Sequence, residues 1–425
     1  MTPPLGSEDL GTLALAAAAA WLLLGAGIGW WYRHELRRVW REPTLRRPVL
    51  VVESDDWGAG PLAQAAALRA IADVLGAHRD AAGRRPVMSL ALVLAVPDGV
   101  AIAASGAYRR IDLRDALFAD VRAALREGEA RGVYALQLHG LEHYRPATLM
   151  SCPDPAVQRW LRLPAPAATE ALPAALQSRW VDAGVLPSRA LGADEIAAAV
   201  AEEVEAYERI FGRRPRVVVP PTFVWSRAVE AAWAAHGVQV VCTPGWRYPR
   251  RDALGRPAGD EGPIVNGEQA GALRYLARVD YFEPVKGRGA AHALAVLARC
   301  VTEGRACILE NHRDSFVGDD PRLPHGLAEL DALCTGALQR HPGLRFLSSA
   351  QLAEVLATRD PAWVEHGRRR RLACAWRRLA ASGRPWRLLR LGGWAALVGA
   401  LLWLARVPLA RAGAGSGVRV EGAGT

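Results

Sequence analysis

Residues 48–58 read PVLVVESDDWG, a β-branched apolar run that ends in two adjacent aspartates, a tryptophan and a glycine. Such a run, without polar alternation, fits a strand buried on both faces. Six further runs have the same form: PVMSLALVL (86–94), YALQLH (134–139), RVVVPP (216–221), VQVVCT (238–243), ACILENH (306–312) and LRFLSS (344–349). Helix-period stretches separate several of them, at 61–77, 112–131, 193–211, 226–236, 290–303 and 324–340. Another follows the last run, with Ser349 read as its N-cap. This alternation predicts an α/β fold of parallel strands with crossover helices, arranged as a barrel or a wide open sheet. Residues 144–192, rich in Pro and Ala, break the rhythm and read as an insertion or lid.

The charge distribution excludes one class of function. The net charge is +10, but residues 33–47 hold six Arg against two Glu, and 367–390 hold nine Arg and no acid. Residues 48–366 carry 35 basic against 38 acidic residues, so the large middle domain has no basic groove for a nucleic acid. The six cysteines form no C-x-x-C pair, which suggests neither a disulfide framework nor a cysteine zinc site.

Both basic runs adjoin apolar stretches. Residues 10–31 are uncharged for 22 positions and end in Trp30 and Trp31, which predicts a transmembrane helix over 10–32. Residues 391–405 are uncharged for 15 positions, and a second span is expected over 388–410 if the flanking arginines snorkel. The expected division is a short tail (1–9), the first helix (10–32), a basic juxtamembrane segment (33–47), the barrel (48–357), an Arg-rich juxtamembrane segment (358–390), the second helix and a flexible tail (411–425). Arginines on the domain side of both spans place the domain in the cytoplasm, on an inner membrane of bacterial type.

In a parallel α/β barrel the C-terminal strand ends share one face, so polar residues there converge from distant parts of the chain. Those ends carry Asp55 and Asp56, then His139 and His143, and finally His312. Two histidines at i and i+4 on one helical face can hold one metal, and a carboxylate from another strand completes a three-ligand site. Asp56, His139 and His143 fit that description. Asp55 points away from its neighbour and is left to take a proton from an attacking water; His312 is available as an acid for the leaving group.

These motifs resemble the polysaccharide deacetylase family, whose domain is the NodB-homology domain. Ser54-Asp55-Asp56 matches its first motif, His139 and His143 its H-x-x-x-H motif, and the strand ending at His312 its last. The resemblance implies an irregular (β/α) barrel and a divalent metal, usually zinc. It also implies Asp55 as base, Asp56, His139 and His143 as ligands, and His312 as acid. Trp57, Trp225, Asn311 and Arg313 lie beside those motifs and are assigned to the substrate pocket. Two departures stand out: Trp57 intervenes before Gly58, and the Arg expected two residues before the third-motif proline is absent, the positions being Val218 and Val219. Asp280 and Glu283 are candidates to replace that Arg's orienting role. The implied activity is removal of an N-acyl group, chiefly acetyl, from a sugar of a lipid-linked or cell-envelope glycan. A non-catalytic glycan-binding or scaffolding protein and a metal-independent glycoside hydrolase are the competing readings.

Overall fold

The computed structural model describes residues 7–405 and 407. All seven anticipated strands form, and the first, Val49–Gly58, is buried along its whole length. Parallel neighbours flank it: Met88–Val93 on one side and Cys307–His312 on the other, while Arg345–Phe346 pairs with its first two residues. Outward from Met88–Val93 follow Tyr134–Leu138, Val217–Val218, Val240–Thr243 and Leu273–Ala277, all parallel. A short strand, Gln269–Ala270, pairs antiparallel with the last of these.

Leu273–Ala277 has no counterpart among the sequence expectations, because Arg274 and Arg278 interrupt its apolar pattern. It decides how the sheet ends. Its continuation, Asp280–Tyr281, pairs with Cys307–His312 at the other side of the sheet. Between them the Arg278 amide donates to the Thr243 carbonyl (2.8 Å) and the Val279 amide to the Ile308 carbonyl (2.9 Å). One extended segment therefore joins the two ends of a curled, largely parallel sheet.

Helices Gln64–Ala77, Ala119–Ala130, Ala193–Phe211, Arg227–Ala235, Ala290–Glu303, Arg322–Arg340 and Ser349–Thr358 flank the sheet. Their apolar stripes and the strands form the main core, which includes Trp57, Leu68, Ile71, Val200, Leu297 and Leu330. The N-cap of Ser349–Thr358 is Ser348, not Ser349: Ser348 and Gln351 form a reciprocal capping box. That shift turns the Ser349 hydroxyl inward, to the Glu53 carboxylate and the Ser89 hydroxyl.

The 144–192 region is an insertion with a small core of its own, built on Tyr144, Leu149, Val157, Trp160, Leu161 and Leu172. Residues 139–145 are not helical, which corrects the expectation that His139 and His143 share a helical face. Buried carboxylates shape this loop instead. Glu142 accepts from Arg179 (2.6 Å) and lies 2.9 Å from Arg110 Nε, and Glu203 accepts from the Leu141 amide (3.3 Å).

Ser7–Trp31 is the single described helix long and apolar enough to cross a membrane. The expected second span is not one helix. Arg384–Leu391 and Trp394–Leu404 meet at Gly392-Gly393 with a bend of 87°, Gly393 taking φ +78°. Positions 1–6 and the anticipated tail at 411–425 lie outside the described residues.

Candidate metal centre

The first strand bulges where its sequence turns acidic. Ser54 pairs with Leu90 and Trp57 with Leu92, so one extra residue is accommodated on the Val49–Gly58 side. Asp56 takes φ +70°, a left-handed conformation that costs a non-glycine residue about 1–3 kcal/mol. This backbone turns both Asp55 and Asp56 into one cavity, where an unbroken strand would send them to opposite faces. Arg313 braces the strained turn: one guanidinium nitrogen donates to the Asp56 carbonyl, and the other to the Glu170 carboxylate at 2.8 and 2.9 Å.

The cavity, of about 450 Å³, brings together all five residues singled out in the sequence. His139 Nε2 and His143 Nε2 each lie 3.4 Å from Asp56 Oδ1. That is long for a hydrogen bond, and Oδ1 is buried without any hydrogen-bond partner. Three ligand atoms about 2.1 Å from one tetrahedral cation would stand about 3.4 Å apart. The donor set, one carboxylate oxygen and two imidazole nitrogens, thus fits a zinc-like divalent cation. His139 Nδ1 donates to the Val219 carbonyl (2.7 Å), which leaves Nε2 as the ligating atom. Burial pushes the His143 pKa down to about 4 despite the nearby Asp56 and Asp55 charges, so its imidazole is neutral. For Asp56, burial opposes ionisation, but His143 and His139 hold the pKa far below the ordinary range.

Asp55 is held by Arg278, whose two terminal nitrogens donate to its two oxygens at 2.7 Å each. The same guanidinium donates to Glu53 (2.6 Å) and lies 3.4 Å from Glu310, with its side chain 1 % exposed. Burial alone would raise the Asp55 pKa; Arg278 lowers it and keeps the carboxylate ionised. His312 lies beside Asp55, its register partner on the neighbouring strand. Its Nδ1 bonds Glu283 (2.5 Å), and its Nε2 lies 3.5 Å from Glu310. Burial would lower the His312 pKa, but Glu283, Glu310, Asp55 and Asp56 raise it to about 10. Asp55, Glu310 and His312 also cluster closely enough to suggest a second cation. Arg278 already supplies the positive charge there.

The expected substrate-pocket residues do not line this cavity. Trp57 is buried, donates to Ser54 Oγ (2.8 Å) and packs near Phe316. Trp225 is buried and bonded to Glu230 (2.8 Å). Asn311 ties Ser54 to the Phe282 carbonyl, and Arg313 is the brace described above. The walls are Thr222 and Phe223, both at positive φ, Glu170, Leu172, Ala174 and Gln177 from the 144–192 region, and Lys286 and Asp314. Nor do Asp280 and Glu283 orient Asp55: Asp280 contacts His292, and Glu283 holds His312. Sequence reasoning missed Arg278, Glu310 and Glu170. The second arginine of LRYLARVDYF, between apolar neighbours, was the available signal for the first.

Comparison with known proteins gives distant likenesses. Glycosyl hydrolase family 57 matches residues 168–298, and no curated protein matches. Similar solved structures include a family 4 acetyl xylan esterase from Clostridium thermocellum, at 12% identity and TM-score 0.36, covering 72% of this chain and 91% of that one. The peptidoglycan deacetylase PdaC from Bacillus subtilis shows 13% identity and TM-score 0.34, with 74% and 94% covered. A 4-alpha-glucanotransferase from Thermococcus litoralis shows 8% identity and TM-score 0.40, with 72% and 40% covered. None of these likenesses is deep enough to transfer a residue's role.

Removing Arg278 should leave Glu53, Asp55 and Glu310 buried without their cation. Arg278→Gln is expected to lower unfolding free energy at pH 7 by about 3–5 kcal/mol. The deficit should shrink at pH 5: carboxylates stripped of a cation have raised folded pKa values, so the folded state takes up protons as pH falls. Denaturant titration at the two pH values measures both effects, and an equal deficit at each would contradict the assignment.

Proposed function

We propose that this chain is a metal-dependent hydrolase that removes an N-acyl group, acetyl by the motif resemblance, from an amino sugar of a glycan. The supporting observation is that an ionised Asp55 and a protonated His312 line the same cavity as the Asp56–His139–His143 cluster. Asp56, His139 and His143 would hold a divalent cation, which when bound would supply Lewis-acid polarisation and lower the pKa of water at the site. Asp55, fixed by Arg278, takes the proton as the water oxygen adds to the acyl carbon. His312, fixed by Glu283, gives its proton to the nitrogen as the C–N bond breaks. Products are the carboxylate and the free amine. Two groups with pKa values pushed apart are what an acid–base pair requires.

The non-catalytic alternative drew its support from the missing motif arginine, and Arg278 now makes the contact that arginine was expected to make. The glycoside hydrolase reading retains one observation, the family 57 match over residues 168–298. That segment contains neither a cluster ligand nor Asp55 or His312. A metal-independent hydrolase would keep its activity in chelator; the proposed enzyme would lose it.

The cavity sits at the C-terminal strand ends, away from the membrane helix. From Val49 to Asp55 the strand rises roughly 20 Å at about 3.3 Å per residue. This distance, with a cytoplasmic domain, supports a glycan several sugars long on a lipid carrier over a single sugar at the bilayer surface; an exported domain would instead favour a cell-envelope glycan. We further propose that Ser7–Trp31 anchors the chain with its domain in the cytoplasm, as the basic flanks imply. A reporter fused near residue 360 should read as cytoplasmic, and its export would overturn that orientation.

Asp55→Asn should retain bound zinc while acetate release from acylated amino-sugar oligomers falls about 10²–10⁴-fold. His139→Ala should lose zinc and activity together. Full activity in Asp55→Asn would require a different proton acceptor.

Glu283→Gln removes the negative partner that stabilises the imidazolium of His312. The alkaline limb of the kcat/KM profile should therefore move down by about 1–3 pH units. An unmoved limb would show that His312 is not the titrating acid.

A further inference from the structure

The other end of the domain carries a cleft that the proposed chemistry does not use. It has a volume of about 640 Å³ and lies between the helix Arg33–Arg41, the start of Leu273–Ala277 and the end of Ser349–Thr358. His34, Arg37, Arg38 and Arg41 line it at i, i+3, i+4 and i+7, one face of the first helix. Arg274 and Arg359 complete the lining from the domain, and Glu268 is the only acid in it.

This charge is not neutralised from within. Among the described residues, Arg37, Arg38, Arg41 and Arg359 form no ion pair, whereas many other surface arginines do, such as Arg69 with Asp120 and Arg213 with Glu129. Arg274 reaches only the Gly267 carbonyl (2.8 Å). Burial and the Arg359 charge both lower the Arg274 pKa, the mark of cations held together without an anion.

Depth narrows the choice of ligand. The apolar helix ends at Trp30 and Trp31, 69% and 75% exposed, and the Arg33 guanidinium stacks over Trp30 at 4.3 Å. Exposed tryptophans at a span's edge sit at headgroup level, and His34 follows three residues later. The cleft therefore opens where lipid phosphates lie. Anionic headgroups attract basic residues in this zone over about one Debye length.

We propose that this cleft binds the phosphate of an anionic phospholipid headgroup, which docks the membrane end of the domain against the bilayer. The proposal rests on the reading of Ser7–Trp31 as a membrane span and not on the hydrolase reading. Docking in this way would hold the catalytic cavity facing away from the membrane.

The test uses the full chain in neutral maltoside micelles, probed with phosphatidylglycerol, phosphatidylcholine or inorganic phosphate. Native mass spectrometry counts retained lipid, and the thermal unfolding midpoint reads binding independently. Phosphatidylglycerol should bind at least tenfold more tightly than phosphatidylcholine. Arg37→Gln/Arg41→Gln should weaken it tenfold or more. Arg368→Gln/Arg369→Gln removes the same charge from exposed positions outside the cleft and should change binding less than twofold. Equal losses in the two variants would mean diffuse attraction and overturn the site. Absence of headgroup preference, or inorganic phosphate binding as tightly as the lipid, would also overturn it. A chain that stays soluble without detergent would sink the anchoring reading and this proposal together, whereas lipid indifference in a membrane-bound chain would sink this proposal alone.

Discussion

A guanidinium buried inside a protein must find acceptors for its N–H groups or cost several kcal/mol, and Arg278 finds three carboxylates. Its backbone lies where one segment passes from the Val240–Thr243 strand to the Cys307–His312 strand. Its side chain meets Glu53, Asp55 and Glu310, which belong to adjacent strands paired in register. The closing of the sheet and the orientation of Asp55 are therefore one constraint. A register slip of one residue would turn these carboxylates to the opposite face and leave the cation unpaired.

The site follows from that anchor. With Asp55 fixed, the bulge at Asp56 swings the second carboxylate toward His139 and His143, and Arg313 holds the strained backbone in place. Proton states are then set by neighbours rather than by residue type. Two histidines lining one cavity differ in charge: burial keeps His143 neutral, while Glu283 and other carboxylates keep His312 protonated. Glu170, from the 144–192 region, is tied to the first strand through Arg313.

At the opposite end the arginines divide by surroundings. Arg378 is 2% exposed and donates to the carbonyls of Glu42, Glu303 and Gly304, so it works as an internal strut. Arg37, Arg41 and Arg359 stay exposed and unpaired around the cleft. Composition alone does not distinguish these residues.

Strand and helix periodicity, the membrane-length apolar helix and the five residues of the cavity were legible in the sequence because each is a local signal. A β-branched run buries itself wherever it falls, and acids or histidines at its end have nowhere to go but the strand-end face. The seam strand at Leu273–Ala277 was hidden because two arginines interrupt its pattern. The roles of Trp57 and Trp225 were misread because an aromatic beside a motif looks the same in a core as in a pocket. Which arginine pairs Asp55, which carboxylate holds His312, and how adjacent aspartates reach one cavity were decided only by tertiary structure. Those contacts join residues up to 257 positions apart, as between Asp56 and Arg313. Their energy depends on distance and burial in space, which no spacing along the chain encodes.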